Sequence, residues 1–279
     1  MKEEASSSFG TPDALPPEFA AALQASAARR GSIGEPALYF SETSSTNDVA
    51  AKLAEHGAPE GTAVIAGAQT AGRGRMGRSW HSPPGAGLYV SIVFRDRRIA
   101  PILTLAGGVA VAEGIRASTG LPVEIKWPND IVVREGRSSA RRLKLAGILA
   151  EASSGADGLQ HVILGVGINV RPAAYPLELA GVATCIETEL GRPADLASVL
   201  VETLASLHSQ VQRLVSGDTA GVLSRWRALA PLAVGSPVEW DRSSVKGRGT
   251  TAGIDDEGAL LVRAGNGTER IVAGAVRWL

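Results

Sequence analysis

Two apolar runs constrain the fold more than any other feature of the chain. Residues 143–151 read Leu-Lys-Leu-Ala-Gly-Ile-Leu-Ala-Glu, and residues 162–170 read Val-Ile-Leu-Gly-Val-Gly-Ile-Asn-Val. Both are rich in the branched side chains that suit a strand buried inside a sheet. Asp157-Gly158 between them fits a tight hairpin turn, so the two runs are expected to pair at the centre of a sheet. Shorter β-rich stretches at 38–40, 62–68, 87–94, 123–126 and 131–133 supply further strands. Helical spacing is expected at 18–30, at 101–118 ending near Gly120, at 195–214 and at 223–229. Strands interleaved with helices indicate an α/β class. After Pro231 the pattern changes to short strands at 234–240, 247–254, 259–264 and 269–272 with glycine-rich turns, which suggests a separate small barrel of about 45 residues.

Between the strands at 62–68 and 87–94 lies Gly-Arg-Gly-Arg-Met-Gly-Arg-Ser, residues 72–79. Glycines permit close backbone approach to a ligand, and guanidinium forks suit phosphate and carboxylate. The spacing Gly72-x-Gly74-x-x-Gly77 formally matches a dinucleotide fingerprint, but that motif requires a helix to open at its third glycine. Here Trp80-His81-Ser82-Pro83-Pro84-Gly85 follows, which is a loop. No Gly-Lys-Ser/Thr closes a phosphate-binding loop of the Walker type either. The segment reads as a basic loop, either solvated or holding an anion.

Three further places leave a choice between structure and function. Ser44-Ser45-Thr46-Asn47 precedes a helix; these side chains can cap it or, with the free amides of the helix start, hold a polar ligand. Lys144 stands in an apolar strand, where an unpaired buried ammonium would cost several kcal/mol. Either its side faces solvent or it has an anionic partner. Asn169 ends the second run, and its amide can read an adenine edge or satisfy the strand end.

At 279 residues the chain suffices for one large domain or two unequal ones. Lys plus Arg balances Asp plus Glu at 28 each, so no global field gathers nucleic acid and any anion site must be local. The single cysteine, Cys185, excludes an internal disulfide and a multi-cysteine metal site, and suits a reducing compartment such as the cytoplasm. The apolar runs fall short of the roughly 20 residues that span a bilayer as a helix. Residues 1–14 are polar and proline-bearing and are expected to be mobile, since they bury too little to offset the entropy of ordering.

The motifs Ser45-Thr46-Asn47, Gln69 ahead of Gly-Arg-Gly-Arg-x-Gly-Arg, Lys126-Trp127-Pro128-Asn129-Asp130, Lys144-Leu-Ala-Gly-Ile-Leu and Gly165-Val-Gly-Ile-Asn169 occur here together and in one order. Over residues 36–279 the chain resembles the biotin protein ligases. The resemblance implies an α/β (α+β) fold: a mixed β-sheet catalytic domain flanked by helices at 36–230, then a small C-terminal SH3-like β-barrel at 231–279. Residues 1–35 become an N-terminal extension, partly disordered. It implies the ligase-only type, without the winged helix-turn-helix of bifunctional members, so no DNA partner is expected.

By the same resemblance, the activity is ATP-dependent biotinylation: biotin is activated as biotinyl-5′-AMP with release of pyrophosphate, then passed to a lysine of a biotin carboxyl carrier protein. Ser45, Thr46, Asn47, Gln69, Arg73, Gly74, Arg75 and Lys144 would contact biotin. Arg75, Arg78, Lys126, Trp127, Asn129, Asp130 and Asn169 would face ATP or the adenylate, with Lys144 and Arg75 catalytic. Mg²⁺ would arrive with ATP, with no metal ligands dedicated to it. Competing readings are a lipoate or octanoyl ligase or transferase of related architecture, and a non-catalytic regulator that binds biotin or nucleotide. A nucleic-acid-binding module is the weakest, because the balanced charge offers no extended phosphate track.

Overall fold

The structure, a computed structural model, describes residues 10–135, 141–155, 158–242, 245–272 and 275–279. Asp157 of the expected hairpin turn, most of the polar turn after Arg134 and the first nine residues lie outside them.

Seven strands form the main sheet in the order β1-β2-β3-β7-β6-β5-β4. They are β1 (Ala37–Phe40), β2 (Ala63–Ala66), β3 (Gly87–Phe94), β4 (Glu124–Lys126), β5 (Asp130–Arg134), β6 (Arg142–Gly155) and β7 (Gly158–Asn169). β1 and β2 are parallel and the other neighbours antiparallel, so the sheet is mixed. The two apolar runs pair as expected near its centre, from Ala146↔Ile168 outward to Gly155↔Gly158.

Alternation along the strands sends Ile65, Val90, Ile92 and Phe94 to one face, and Val64, Val93 and Ile163 to the other. Against the first face pack α1 (Pro17–Arg30), α3 (Leu103–Thr119), α5 (Leu196–Val215) and α6 (Thr219–Leu229), with α3 on α5 and α6, and α1 on α5. Asp195 starts α5 by accepting from the Ala197 and Ser198 amides. Gly120 ends α3 at φ 78°, a left-handed conformation that glycine adopts without steric cost. The opposite face is covered over β2, β3 and β7 by α2 (Thr46–Glu55). A short helix, α4 (Ile186–Leu190), follows the loop that leaves β7.

Asp13 sits within the stretch expected to be mobile, yet its amide donates to Tyr39 O at 2.8 Å and its carboxylate accepts from the Ser41 amide at 2.6 Å. Both contacts tie it to the edge of β1.

The C-terminal region forms an antiparallel sheet of five strands in the order β11-β10-β9-β8-β12. These are β8 (Val234–Arg242), β9 (Val245–Ile254), β10 (Leu260–Ala264), β11 (Gly267–Ile271) and β12 (Ala275–Trp278). β12 was not expected from the sequence. Among the described residues no ladder joins β11 to β12, so hydrogen bonding does not close the sheet into a barrel. Val238, Trp240, Leu260 and Val262 continue the core of the main body, and Trp127 Nε1 donates to Gly258 O at 3.0 Å across the junction.

Candidate active site

The cavity begins as an absence of side chains. On β6 and β7, Leu164, Val166, Ile168 and Ile148 enter the core, so the alternate positions Gly147, Gly165 and Gly167 present bare backbone on the opposite face, beside α2, whose Asn47 sits against Gly165. The resulting cavity of about 840 Å³ is large enough for a cofactor-sized ligand. Its wall gathers Ser45, Thr46, Asn47, Gln69, Arg73, Gly74, Arg75, Arg78, Lys126, Trp127, Asn129, Asp130, Lys144 and Asn169, which is every site residue expected from the sequence.

Ser45 occupies the N-cap position of α2, but its side chain makes no capping bond. Instead the Thr46 amide donates to Gln69 Oε1 at 2.8 Å, and the Thr46 hydroxyl lies 3.1 Å from the same oxygen. Gln69 Nε2 donates to Ser82 Oγ at 2.9 Å. Ser45, Thr46 and Asn47 are all buried. A helix start whose free amide is met by a glutamine from another segment, with hydroxyls left beside it, is built as a polar pocket more than as a cap.

The basic loop folds back on itself, with the Gly74 amide donating to Arg78 O at 2.7 Å and the Trp80 amide to Gly72 O at 2.8 Å. Met76 at its tip is 64% exposed and has φ 58°, a left-handed conformation uncommon outside glycine. Arg73 forks between Asp48 and Glu151, reaching Glu151 Oε2 at 2.8 Å. Burial works against its charge, yet these two carboxylates raise its pKa overall. Arg75 reaches Asn129 Oδ1 at 3.3 Å.

Arg73, Arg75, Arg78, Lys126, Lys144 and Arg277 face Asp130 as the only carboxylate among the cavity-lining residues. Although the chain as a whole is neutral, this wall is strongly cationic. Burial lowers the pKa of Lys126, and the Lys144 and Arg78 charges add to that against the pull of Asp130. Burial likewise lowers Arg75, with Arg78 adding to the effect and Asp130 opposing it. Mutually repelling, partly desolvated cations favour the arrival of an anion.

Lys144 has the anionic partner that its apolar setting called for, and it comes from the chain itself: Nζ lies 2.6 Å from Asp130 Oδ1. The ammonium also stands 5.2 Å from the ring centroid of Trp80.

Two of the expected residues are committed elsewhere. Asn169 Nδ2 donates to Thr184 O at 3.0 Å, which anchors the strand end. The Trp127 indole is buried and holds Gly258.

Other participants were not anticipated. Trp80 lies across the glycine floor, where a methyl group at Gly167 would fall within 2.5–2.6 Å of its indole. Tyr175, Leu179 and Val182 line one side, and Val276, Arg277 and Trp278 bring β12 to the wall. The aromatic residue directly after the arginine run was a readable signal for Trp80. Nothing local marked β12.

Residues 39–169 match the model of the Biotin/lipoate A/B protein ligase family, and residues 241–276 that of the Biotin protein ligase C terminal domain. The chain is 32% identical to the biotin–[acetyl-CoA-carboxylase] ligase of Paracoccus denitrificans, over 85% of this chain and 98% of that one. The chain belongs to the biotin protein ligase family. This family member is also 35% identical to the bifunctional ligase/repressor of Bacillus subtilis (strain 168), over 88% of its own length and 74% of the relative's. Its fold superposes on a biotin protein ligase from Aquifex aeolicus, solved in complex with biotin and ATP, with a TM-score of 0.75 and 27% identity over 87% of this ligase-family chain and 99% of the other.

Proposed function

We propose that the protein is an ATP-dependent biotin protein ligase. It activates biotin as biotinyl-5′-AMP and transfers it to a lysine of a biotin carboxyl carrier protein. The observation that carries this reading is the cavity itself: five motifs far apart in sequence meet on one glycine-floored, cationic wall. The buried side chains of Ser45, Thr46 and Asn47, with the half-buried Gln69, receive the polar ring of biotin. Arg75, Arg78, Lys126, Asn129 and Asp130 face the nucleotide, and Lys144 stands between the two groups.

Adenylation brings a carboxylate against a polyphosphate, a repulsion of roughly 4 kcal/mol per charge pair at about 4 Å in an effective dielectric near 20. Arg73, Arg75 and Lys144 offset that repulsion and align the carboxylate oxygen with the α-phosphorus. The new P–O bond forms as the bond to pyrophosphate breaks. The ε-amine of the carrier lysine then attacks the acyl carbon, AMP leaves, and an amide remains.

Among the described residues no three His, Cys, Asp or Glu groups cluster to hold a metal. Mg²⁺ would come with ATP; Asp130 is the lining carboxylate that would hold it there, and the ion would supply charge screening to the phosphates. We place the adenylating unit at 36–230, the small C-terminal domain at 231–279 and an extension at 1–35. No helix among the described residues is long and apolar enough to cross a membrane, and the single cysteine suits the cytoplasm.

The full chain incubated with biotin, Mg-ATP and a carboxyl carrier domain is expected to release pyrophosphate only when biotin is present, and to add the mass of biotin less water to the carrier. Lipoate in place of biotin should give neither. Pyrophosphate release that ignores biotin, or that prefers lipoate, would overturn the reading.

A further inference from the structure

Glu151 lies on β6, on the same face as Gly147 and Leu149 but outside the residues that line the cavity. We propose that it is a positioning residue for biotin: it fixes which way the pocket presents its hydrogen-bond donors and acceptors. This rests on the ligase reading above and adds a residue to it.

A chain of polar contacts runs through the pocket floor. Glu151 Oε2 accepts from Asn47 Nδ2 at 2.5 Å and from the Arg73 guanidinium at 2.8 Å. Asn47 Oδ1 accepts from Ser91 Oγ at 2.6 Å; Ser91 is fully buried on β3, and its oxygen lies 2.7 Å from Thr46 Oγ1. Thr46 in turn meets Gln69 Oε1, and Gln69 meets Ser82. Gly165 gives the Asn47 amide its room, since a Cβ there would collide with it.

At the far end the Thr46 N–H, which only donates, pins Gln69 Oε1; the members between it and Glu151 can face either way. A hydroxyl donates or accepts, and a side-chain amide can be turned over; a carboxylate paired with arginine only accepts. Glu151 therefore turns the Asn47 NH₂ toward itself and the Asn47 oxygen toward Ser91. Ser91 has a single proton and must give it to Asn47. The Thr46 hydroxyl then donates to Ser91 or to Gln69, which frees its lone pair for a ligand. The second N–H of Asn47 is likewise free for a ligand. One donor and one acceptor side by side is the complement of a cyclic urea, whose carbonyl accepts and whose N–H groups donate.

The probes are biotin and its cyclic guanidine analogue, 2-iminobiotin, in which N–H replaces the carbonyl. Titration calorimetry on the full chain gives their affinities, and single-turnover adenylation gives the rate. Glu151→Gln keeps the volume but can donate as well as accept. It is expected to weaken biotin binding roughly ten- to a hundredfold, the range for hydrogen bonds to charged groups. It should also narrow the preference for biotin over the guanidine and leave ATP affinity unchanged. In an Asn47→Ala background the same substitution should cost little, because the amide it orients is gone.

Unchanged biotin affinity in Glu151→Gln, an equal loss with and without Asn47, or a loss shared by both analogues and ATP with a fall in melting temperature would each overturn the assignment. A wild-type chain that binds no biotin would instead overturn the ligase reading itself.

Discussion

The ammonium of Lys144, set in a strand with Leu143, Leu145 and Ile148, needed either a solvent-facing side or an anionic partner. Asp130 supplies the partner at 2.6 Å. Lys144→Met therefore strands the Asp130 carboxylate. With the two side chains 33% and 25% exposed, the loss should stay at about 1 kcal/mol or less. Activity should suffer far more. If Lys144 stabilises charge that builds on the α-phosphate, its removal costs about 3–4 kcal/mol, on the order of a hundred- to a thousandfold in rate. Single-turnover formation of biotinyl-adenylate, set beside thermal unfolding, measures both effects. A Lys144→Met protein that adenylates biotin at the normal rate would rule out the role.

At the scale of the element, the loop between β2 and β3 combines features that resist a single rigid state. Arg73, Met76, Gly77, Arg78 and Ser79 are exposed, Met76 carries a left-handed backbone, and the arginines repel one another. Its anchors are carboxylates and amides of the chain: Asp48 and Glu151 for Arg73, Asn129 for Arg75. A bound adenylate brings a phosphate that joins these cations. Hydrogen exchange across residues 72–85 should then slow on addition of biotinyl-adenylate, most at the Gly74 and Trp80 amides that hold the hairpin. Equal protection with and without the ligand would mean that the loop is already fixed.

At the scale of the molecule, the small C-terminal sheet carries none of the motifs of the adenylation site, yet β12 stands in its wall and Trp127 links the two bodies through Gly258. Trp127→Phe keeps the buried ring but removes that donor. It is expected to cost about 1 kcal/mol for the lost hydrogen bond, roughly 2–4 °C in Tm for a chain of this size, and to weaken ATP binding by loosening the wall. Arg263→Ala, on the exposed face of β10, serves as the control and should leave pyrophosphate release intact. If Trp127→Phe behaved like that control, the two bodies would not be coupled through this contact.

What the sequence determined by itself was whatever depends on local pattern. The branched apolar runs at 143–151 and 162–170 specified buried strands, the three-and-four spacing of 195–214 a core helix, and the clustering of glycine with arginine a basic loop. The residues of the site were legible for the same reason, because each motif is a short stretch whose chemistry fits poorly in a plain core or surface. The tertiary structure decided the pairings that no local pattern encodes. It gave Lys144 to Asp130, turned Asn169 toward Thr184 and Trp127 toward Gly258, brought β12 to the cavity, and set Glu151 against Asn47, which lies 104 positions away in the chain. Such contacts follow from strand order and register, and one sequence cannot state them, since a carboxylate on a strand looks the same whether it faces water or an amide across the sheet.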